Sequence, residues 1–189
     1  MWGDIIITAG PDFDAVGLDA AKAQCRLDDD AADERLAPLL AAAVQHVEKI
    51  TGRALSAREV SIDCDAWSDL GRLPVAPVQE VLAISYVDAD GIVRTLPPAA
   101  YRGRLRHTPA RVILAPAASW PAIQDGSQIS VALRVGYGLS EGELPSPLAP
   151  EPLRSAVLLA VQALNDDGTL DAVAPTIEAL TVNYQTSLI

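Results

Sequence analysis

DDDAADERLAPLLAAAVQHVEKITG, residues 28–52, is the stretch that predicts the longest helix of the chain. Its apolar residues recur at three- and four-residue steps, so they share one helix face. The three aspartates at 28–30 offer oxygens to the free amides of a helix start, and Gly52 suits the left-handed conformation that ends many helices. We therefore expect a helix over residues 31–51, with an apolar face that needs a partner: Leu36, Leu39, Leu40, Ala43, Val44, Val47 and Ile50.

A second helical stretch can supply that partner. Residues 151–166, EPLRSAVLLAVQALND, carry apolar side chains around much of a helix circumference, which is typical of a helix buried on two sides. Pro152 suits the first turn, where its missing N–H is not needed. A shorter amphipathic helix is predicted over residues 18–27. The helical part therefore has two main helices that pack together and one short helix.

Between these helices the pattern changes to the two-residue repeat of strands. Residues 60–64 alternate apolar and polar side chains. Apolar runs at 81–87 and 92–96 flank Asp-Ala-Asp-Gly at 88–91. This arrangement predicts a hairpin, because glycine tolerates the positive φ that tight turns require. Further short strands are expected at 101–105, 112–114 and 129–135.

Together these patterns predict an α+β fold. It is a small helical bundle of two main helices plus a short one, with an inserted antiparallel β region and an extended C-terminal tail. The chain on either side of the insertion returns to the same bundle. The expected division is a helical core at 18–53 and 149–167, a β-rich insertion at 54–142, an N-terminal arm at 1–17 and a C-terminal tail at 168–189.

The C-terminal tail has an alternation of its own. Apolar residues at 180, 182, 184 and 188 are separated mostly by polar ones, which predicts a strand over residues 180–188. Such a strand either closes the protein's own sheet or adds to a sheet edge on another subunit, and we favour the second. The partner-binding residues would be Leu180, Val182, Tyr184 and Leu188.

Composition excludes several classes of protein. The formal net charge of −11 argues against a protein that grips nucleic acid by its phosphates. Cys25 and Cys64 are the only cysteines, which fits a reduced, cytosolic protein and gives no Cys-x-x-Cys pair for zinc. The N-terminus lacks the pattern of a signal peptide, and no apolar run approaches the ~20 residues of a membrane span. We expect no membrane association.

One basic patch stands out in this acidic chain. It comprises Arg102, Arg104, Arg106 and Arg111, with His107 beside them. These residues fit a solvated strand face. They also fit a subunit contact with an acidic neighbour, including another copy of this chain. No aromatic residues interleave them as a stacking platform for bases would require.

The sequence contains no catalytic constellation. Asp63, Asp65, Asp88 and Asp90 with His107 are the best raw material for an enzyme, but catalytic carboxylates need paired, partly desolvated positions. Most of them fit strand alternation or turns instead. We therefore expect no catalytic residues, no metal site and no cofactor, and keep a small cytosolic enzyme as a minor alternative.

Taken in order, several segments resemble the head–tail connector (adaptor) family of tailed bacteriophages and gene transfer agents. The resemblance covers most of residues 18–165, and it lies in the order and spacing of common helix and turn patterns. The matching segments are LDAAKAQCRL at 18–27, LLAAAVQHVEKITGRAL at 39–55, LPVAPVQEVLAISYVDADG at 73–91, ASWP at 118–121, VALRVGYG at 131–138 and PEPLRSAVLLAVQAL at 150–164.

This resemblance implies a structural virion protein without an active site. Family members form closed rings, typically dodecameric, that link the portal protein to stopper or tail proteins, with double-stranded DNA passing through the channel. The resemblance thus implies a particle component at the head–tail interface, assembled in the bacterial cytoplasm and not binding DNA specifically. A tail-completion component of the same particle is the alternative within this class.

Overall fold

The computed structural model describes residues 1–10, 15–28, 30–138, 149–166 and 168–186 and has the α+β class that the sequence predicts. Four helices pack on one another, and the strands form a five-stranded sheet and a separate two-stranded hairpin. The helices are α1 (Leu18–Cys25), α2 (Asp33–Thr51), α3 (Glu151–Asp166) and α4 (Ala174–Thr181). The strands are β1 (Trp2–Ala9), β2 (Arg58–Cys64), β3 (Val78–Val87), β4 (Val93–Thr95), β5 (Tyr101–Arg104), β6 (Arg111–Leu114) and β7 (Ile129–Val135).

The five-stranded sheet has the order β1-β2-β7-β3-β4, and every neighbouring pair is antiparallel. The predicted hairpin at 88–91 joins β3 to β4, with Gly91 at φ 80°. The N-terminal arm contributes residues 2–9 to the sheet as its first edge strand. β5 and β6 pair only with each other among the described strands.

One face of the sheet carries the first hydrophobic core. Val60 lies opposite Leu133, and Ile62 lies opposite Val131; all four side chains are buried. The alternation predicted from residues 60–64 is therefore confirmed. Side chains from the connecting segments and from the β5–β6 hairpin cover this face. They include Leu70, Leu73, Leu96 and Val112.

The second core lies between the helices. The predicted apolar face of α2 is confirmed, with Leu36, Leu40, Ala43 and Val47 buried. α3 packs against α1, α2 and α4, as its broad apolar circumference predicts. The buried residues of α3 are Leu153, Ala156, Val157, Ala160, Val161 and Ala163.

A short connection joins α2 to the sheet. Gly52 ends α2 in the predicted left-handed conformation, with φ 65°. One carboxylate then spans the connection. Glu48 Oε1 accepts a hydrogen bond from the Leu55 amide at 2.7 Å, and Glu48 Oε2 binds Arg58 at 2.8 Å. This carboxylate links the last turns of α2 to the start of β2.

The α-helix begins two residues later than predicted. A 3-10 turn at Asp30–Ala32 precedes α2, and Ala32 occupies the N-cap position without a side-chain hydrogen bond. The backbone at Ala32 is already helical, so the 3-10 turn continues directly into α2. Asp29 lies outside the described residues.

The predicted strand at 180–188 is also wrong over the residues that the structure describes. α4 runs to Thr181, and Val182–Tyr184 continue as a 3-10 turn. Ile177 and Thr181 are buried, and Leu180 and Tyr184 pack on the helical core. These positions recur at three- and four-residue steps, so the helical period prevails over the alternation.

Among the described residues, no helix is long and apolar enough to cross a membrane.

Candidate assembly surfaces

The predicted basic patch lies on the β5–β6 hairpin. Pairing sets Arg102 opposite Ile113 and Arg104 opposite Arg111. At the alternate pair, Gly103 and Val112, the Val112 side chain is buried in the first core. The three arginines of the strands therefore share the outer face of the hairpin, and Arg106 lies in its turn; all four residues are exposed.

The arginines of this basic face repel one another. Arg104 and Arg111 lie directly opposite each other, and like charges in such a pair are destabilising. In the part of the chain that the structure describes, none of the four arginines has an acidic partner. A carboxylate from another molecule would relieve this repulsion.

The predicted partner-binding residues of the tail have different environments. Leu180 and Tyr184 pack on the helical core and are only partly accessible. Val182 is 55% exposed and lies on the outer side of the 3-10 turn. Leu188 lies outside the described residues. Of the three described positions, only Val182 has a largely exposed side chain.

A clasp that the sequence reasoning missed holds this segment in place. Arg53 Nε donates to the Tyr184 carbonyl at 2.6 Å, and Arg53 Nη1 donates to the Tyr137 hydroxyl at 3.0 Å. The Thr186 amide donates to the Thr51 carbonyl at 2.7 Å. The last described residues are thereby bound to the end of α2. No local pattern could reveal this, since Arg53 and Tyr184 are 131 positions apart.

The carboxylates considered for catalysis have separate structural tasks. Asp88 Oδ1 accepts hydrogen bonds from the amides of Asp90 and Ile92, and Asp88 Oδ2 binds Arg94 at 2.8 Å. The Arg94 guanidinium and these amides lower the pKa of Asp88. Its charge therefore stabilises its own turn.

Asp65 and His107 also have separate surroundings. Asp65 accepts a hydrogen bond from Gln128 and lies 3.2 Å from the Met1 amino group, and both contacts lower its pKa. His107 is exposed in the turn of the hairpin. Among the described residues, no group of three or more His, Cys, Asp or Glu side chains is arranged to hold a metal ion.

The cysteines are not activated. Burial raises the pKa of the Cys64 thiol to about 12, with the nearby Asp69 carboxylate adding to the rise. Burial also raises the pKa of Cys25. A nucleophilic cysteine needs the opposite shift, because the thiolate is the reactive form.

The N-terminal half of the chain resembles a structural family of phage proteins. Residues 16–88, which include α1, α2, β2 and β3, match the family model described as phage gp6-like head-tail connector protein. This match confirms the resemblance seen in the sequence. Comparison with curated protein sequences gives no match.

Solved structures extend the likeness to nearly the whole chain. One similar chain comes from the neck of an empty gene transfer agent (GTA) particle computed with C6 symmetry; it is 27% identical, with a TM-score of 0.75, and the match covers 99% of this chain and 97% of that one. A chain of a native GTA virion is 26% identical, with a TM-score of 0.73, over 98% and 96% of the two chains. A chain from the neck of a native GTA particle computed with C12 symmetry is 27% identical, with a TM-score of 0.72, over 99% and 97%.

Proposed function

We propose that this protein is a structural head–tail connector subunit in the neck of a phage or phage-like gene transfer particle. In this role copies of the chain form a ring, of twelve subunits as in the C12 neck, between the portal and the stopper or tail proteins. The observation that carries the proposal is the full-length match to chains of particle necks, which leaves almost no part of either chain unaligned.

The chemistry of the chain agrees with a structural role. Two of the aspartates considered for catalysis have structural contacts instead. Asp88 binds an amide of its own turn, and Asp65 lies beside the N-terminal amino group. The exposed arginine and apolar side chains lie instead on surfaces suited to protein contacts. We therefore propose that the protein is not an enzyme and uses no cofactor.

The outer face of the β5–β6 hairpin is proposed as a subunit contact. Arg102, Arg104, Arg106 and Arg111 concentrate positive charge on a chain with a net charge of −11. Copies of an acidic chain repel one another unless a basic surface meets an acidic one at each junction. An exposed arginine face without an acidic partner among the described residues provides that surface.

The same net charge bears on DNA. Twelve copies would surround a channel with a large excess of negative charge. Such a wall repels phosphates, so duplex DNA passes without being held. We propose double-stranded DNA as a passenger and not as a specific ligand.

The proposed portal contact is the C-terminal segment around Val182. This side chain is exposed, whereas Leu180 and Tyr184 are engaged by the helical core. Val182→Asp should weaken docking on the portal without unfolding the chain. Ala42→Asp, at an exposed position of α2, is the matched control because it introduces the same charge elsewhere.

The decisive experiment mixes the purified chain with portal rings of the same particle and measures mass by light scattering. A ring of copies on the portal, visible as a symmetric collar by electron cryomicroscopy, is the expected result. A chain that ignores the portal but binds tail proteins would instead be a tail-completion component. A chain that joins neither would overturn the proposal.

A charge reversal tests the basic hairpin in the same assay. Arg104→Glu with Arg111→Glu should strongly reduce the number of copies per portal, because each junction loses its basic side. Arg35→Glu with Lys49→Glu makes the same change in net charge on exposed positions of α2 and should assemble normally. Equal loss in both variants would indicate a general charge effect and remove the hairpin from the contact.

A further inference from the structure

The edge strand β1 exposes an apolar surface that the fold itself does not cover. Ile5, Ile6 and Ile7 are 49%, 58% and 55% exposed, and Met1 precedes them at 85%. One side of β1 pairs with β2, and no described strand pairs with its other side. Long exposed apolar edges are templates for pairing with another chain, and soluble proteins normally protect them with charge, proline or a covering segment.

Register shows that this surface continues the first core. Ile5 lies opposite Ile62, which in turn lies opposite Val131, and side chains directly opposite in an antiparallel pair share one face. Ile62 and Val131 are buried, but Ile5, at the end of the same row, is exposed. The covering layer therefore ends before the sheet does. The row Ile7, Val60 and Leu133 repeats the pattern.

The opposite edge of the same sheet is also apolar and uncovered. Val93 in β4 is 71% exposed, and Ile92 precedes it in the turn. β4 pairs only with residues 85–87 of β3, so the first part of β3 has no described strand on that side. Leu82, at a bulge in β3, is exposed along this stretch.

These two edges account for nearly all exposed large apolar side chains of the described residues. Seven of the eight lie there, and Val182 is the eighth: the seven are Met1, Ile5, Ile6, Ile7, Leu82, Ile92 and Val93. A closed ring of identical subunits needs two different, complementary surfaces on each copy, because head-to-tail contacts join unlike patches. Two apolar edges at opposite ends of one sheet meet this requirement.

One pair of opposite charges can form between the two edges. β1 carries Asp4, and β4 carries Arg94, which is the one basic residue of β3, β4 and their turn; the same stretch also carries Glu80, Asp88 and Asp90. Although Asp88 binds Arg94, 54% of the arginine side chain stays exposed. Within the described chain, no partner is present for Asp4. We infer that the occupant of the β1 edge is the β3–β4 edge of a neighbouring copy, so that the sheets of adjacent subunits join across each junction of the ring.

The strand directions give the contact a definite form. Four antiparallel steps separate β1 from β4, so the two edge strands run in the same direction. A pair of β1 with the next copy's β4 is therefore a parallel pair in polarity, at an angle that depends on the twist of the five-stranded sheet. This inference rests on the proposed ring and adds the identity of its subunit junction.

One substitution on each edge tests it. Ile6→Lys and Val93→Lys place a charge on the β1 edge and on the β4 edge, and both positions are exposed, so the fold should survive. Each variant alone should form rings on portals at a roughly tenfold lower fraction than the unaltered chain, since lysine is a natural blocker of strand edges. Ala42→Lys, with the same added charge on α2, should assemble normally. Equal circular dichroism and melting temperature establish that all variants are folded.

Mixing the two edge variants distinguishes the possible contacts. Ile6→Lys copies keep an intact β4 edge, and Val93→Lys copies keep an intact β1 edge. A head-to-tail junction therefore predicts heterodimers, near twice the 19.9 kDa of one chain, that cannot extend into rings. Dimers of Val93→Lys alone would indicate β1 pairing with itself and overturn the inference.

The remaining outcomes separate this inference from the proposed function. Normal rings from both edge variants would overturn the edge contact and leave the connector role standing. Failure of the unaltered chain to form a ring, with or without portals, would overturn the connector role and the inferred junction with it.

Discussion

Arg53 binds the backbone carbonyl of Tyr184 through its Nε atom at 2.6 Å, which ties the C-terminal segment to the end of the longest helix. The guanidinium also lies over the Tyr184 ring, 6.0 Å from its centroid, within the range of a cation–π contact. One side chain thus holds both the backbone and the ring of the same residue. The segment proposed to reach the portal therefore begins from a fixed point.

Arg53→Ala should free this segment. A hydrogen bond to a charged group contributes about 1.5–3 kcal/mol, so we expect a loss of that order in local stability and faster hydrogen exchange at the Thr186 amide. Exchange measured by mass spectrometry on the C-terminal peptide checks this. Lys49→Ala removes a positive charge from the same helix end without a described contact and serves as control. Unchanged exchange in Arg53→Ala would show that the helix, not the clasp, orders the segment.

Glu48 should be the most sensitive charged residue of α2. Its two oxygens satisfy the Leu55 amide and Arg58, whose side chain is 18% exposed. Glu48→Ala leaves both donors without a partner, which costs about 1–3 kcal/mol for each such group. Glu48→Gln should cost less, because the amide oxygen can still accept from Leu55. Urea unfolding measures both; Gln45→Ala, at an exposed position, should be nearly neutral, and equal losses in Gln and Ala variants would contradict the bridging role.

Gly136 is predicted to tolerate no side chain. Its φ is 99°, and a Cβ atom there would overlap the carbonyl oxygen of Ser56, a backbone atom that cannot move aside. Gly136→Ala should therefore destabilise the fold by about 4 kcal/mol or more, which is the range of exceptional substitutions. Gly71→Ala is the matched control, because nothing lies within 4 Å of the methyl group that it would add and its φ lies outside the left-handed region. Soluble, folded Gly136→Ala protein with a normal melting temperature would refute the prediction.

The helices and central strands could be predicted because their residues repeat with one dominant period. α3 has the predicted bounds, 151–166, since its apolar side chains fit only a helix that is buried on several sides. β2 and β7 likewise show a clean alternation with buried inner faces. In these segments local preference and tertiary packing favour the same structure.

The C-terminal segment could not be predicted, because two periods fit it equally well. Leu180, Val182 and Tyr184 alternate as in a strand, but Ile177, Thr181 and Tyr184 also follow helical spacing. The decision comes from tertiary structure: Ile177 packs in the helical core, and Thr181 is buried as well. The Arg53 clasp and the two apolar sheet edges were missed for the same reason, since both depend on which strands and chain ends become neighbours in space.

The buried thiol of Cys64 predicts how stability changes in alkali. Folding raises its pKa from 9.0 to about 12, so between these values the unfolded chain loses a proton that the folded chain keeps. Stability should therefore fall as the pH rises above about 9, by linkage. Urea midpoints measured from pH 8 to 10.5 should decline more steeply for the unaltered chain than for Cys64→Ala, which lacks the titrating group. Native Cys64 should also carry about a thousandfold less thiolate than a free cysteine and resist iodoacetamide accordingly. Equal pH slopes in the two proteins, or rapid alkylation of Cys64 without unfolding, would show that the thiol is not held in the core.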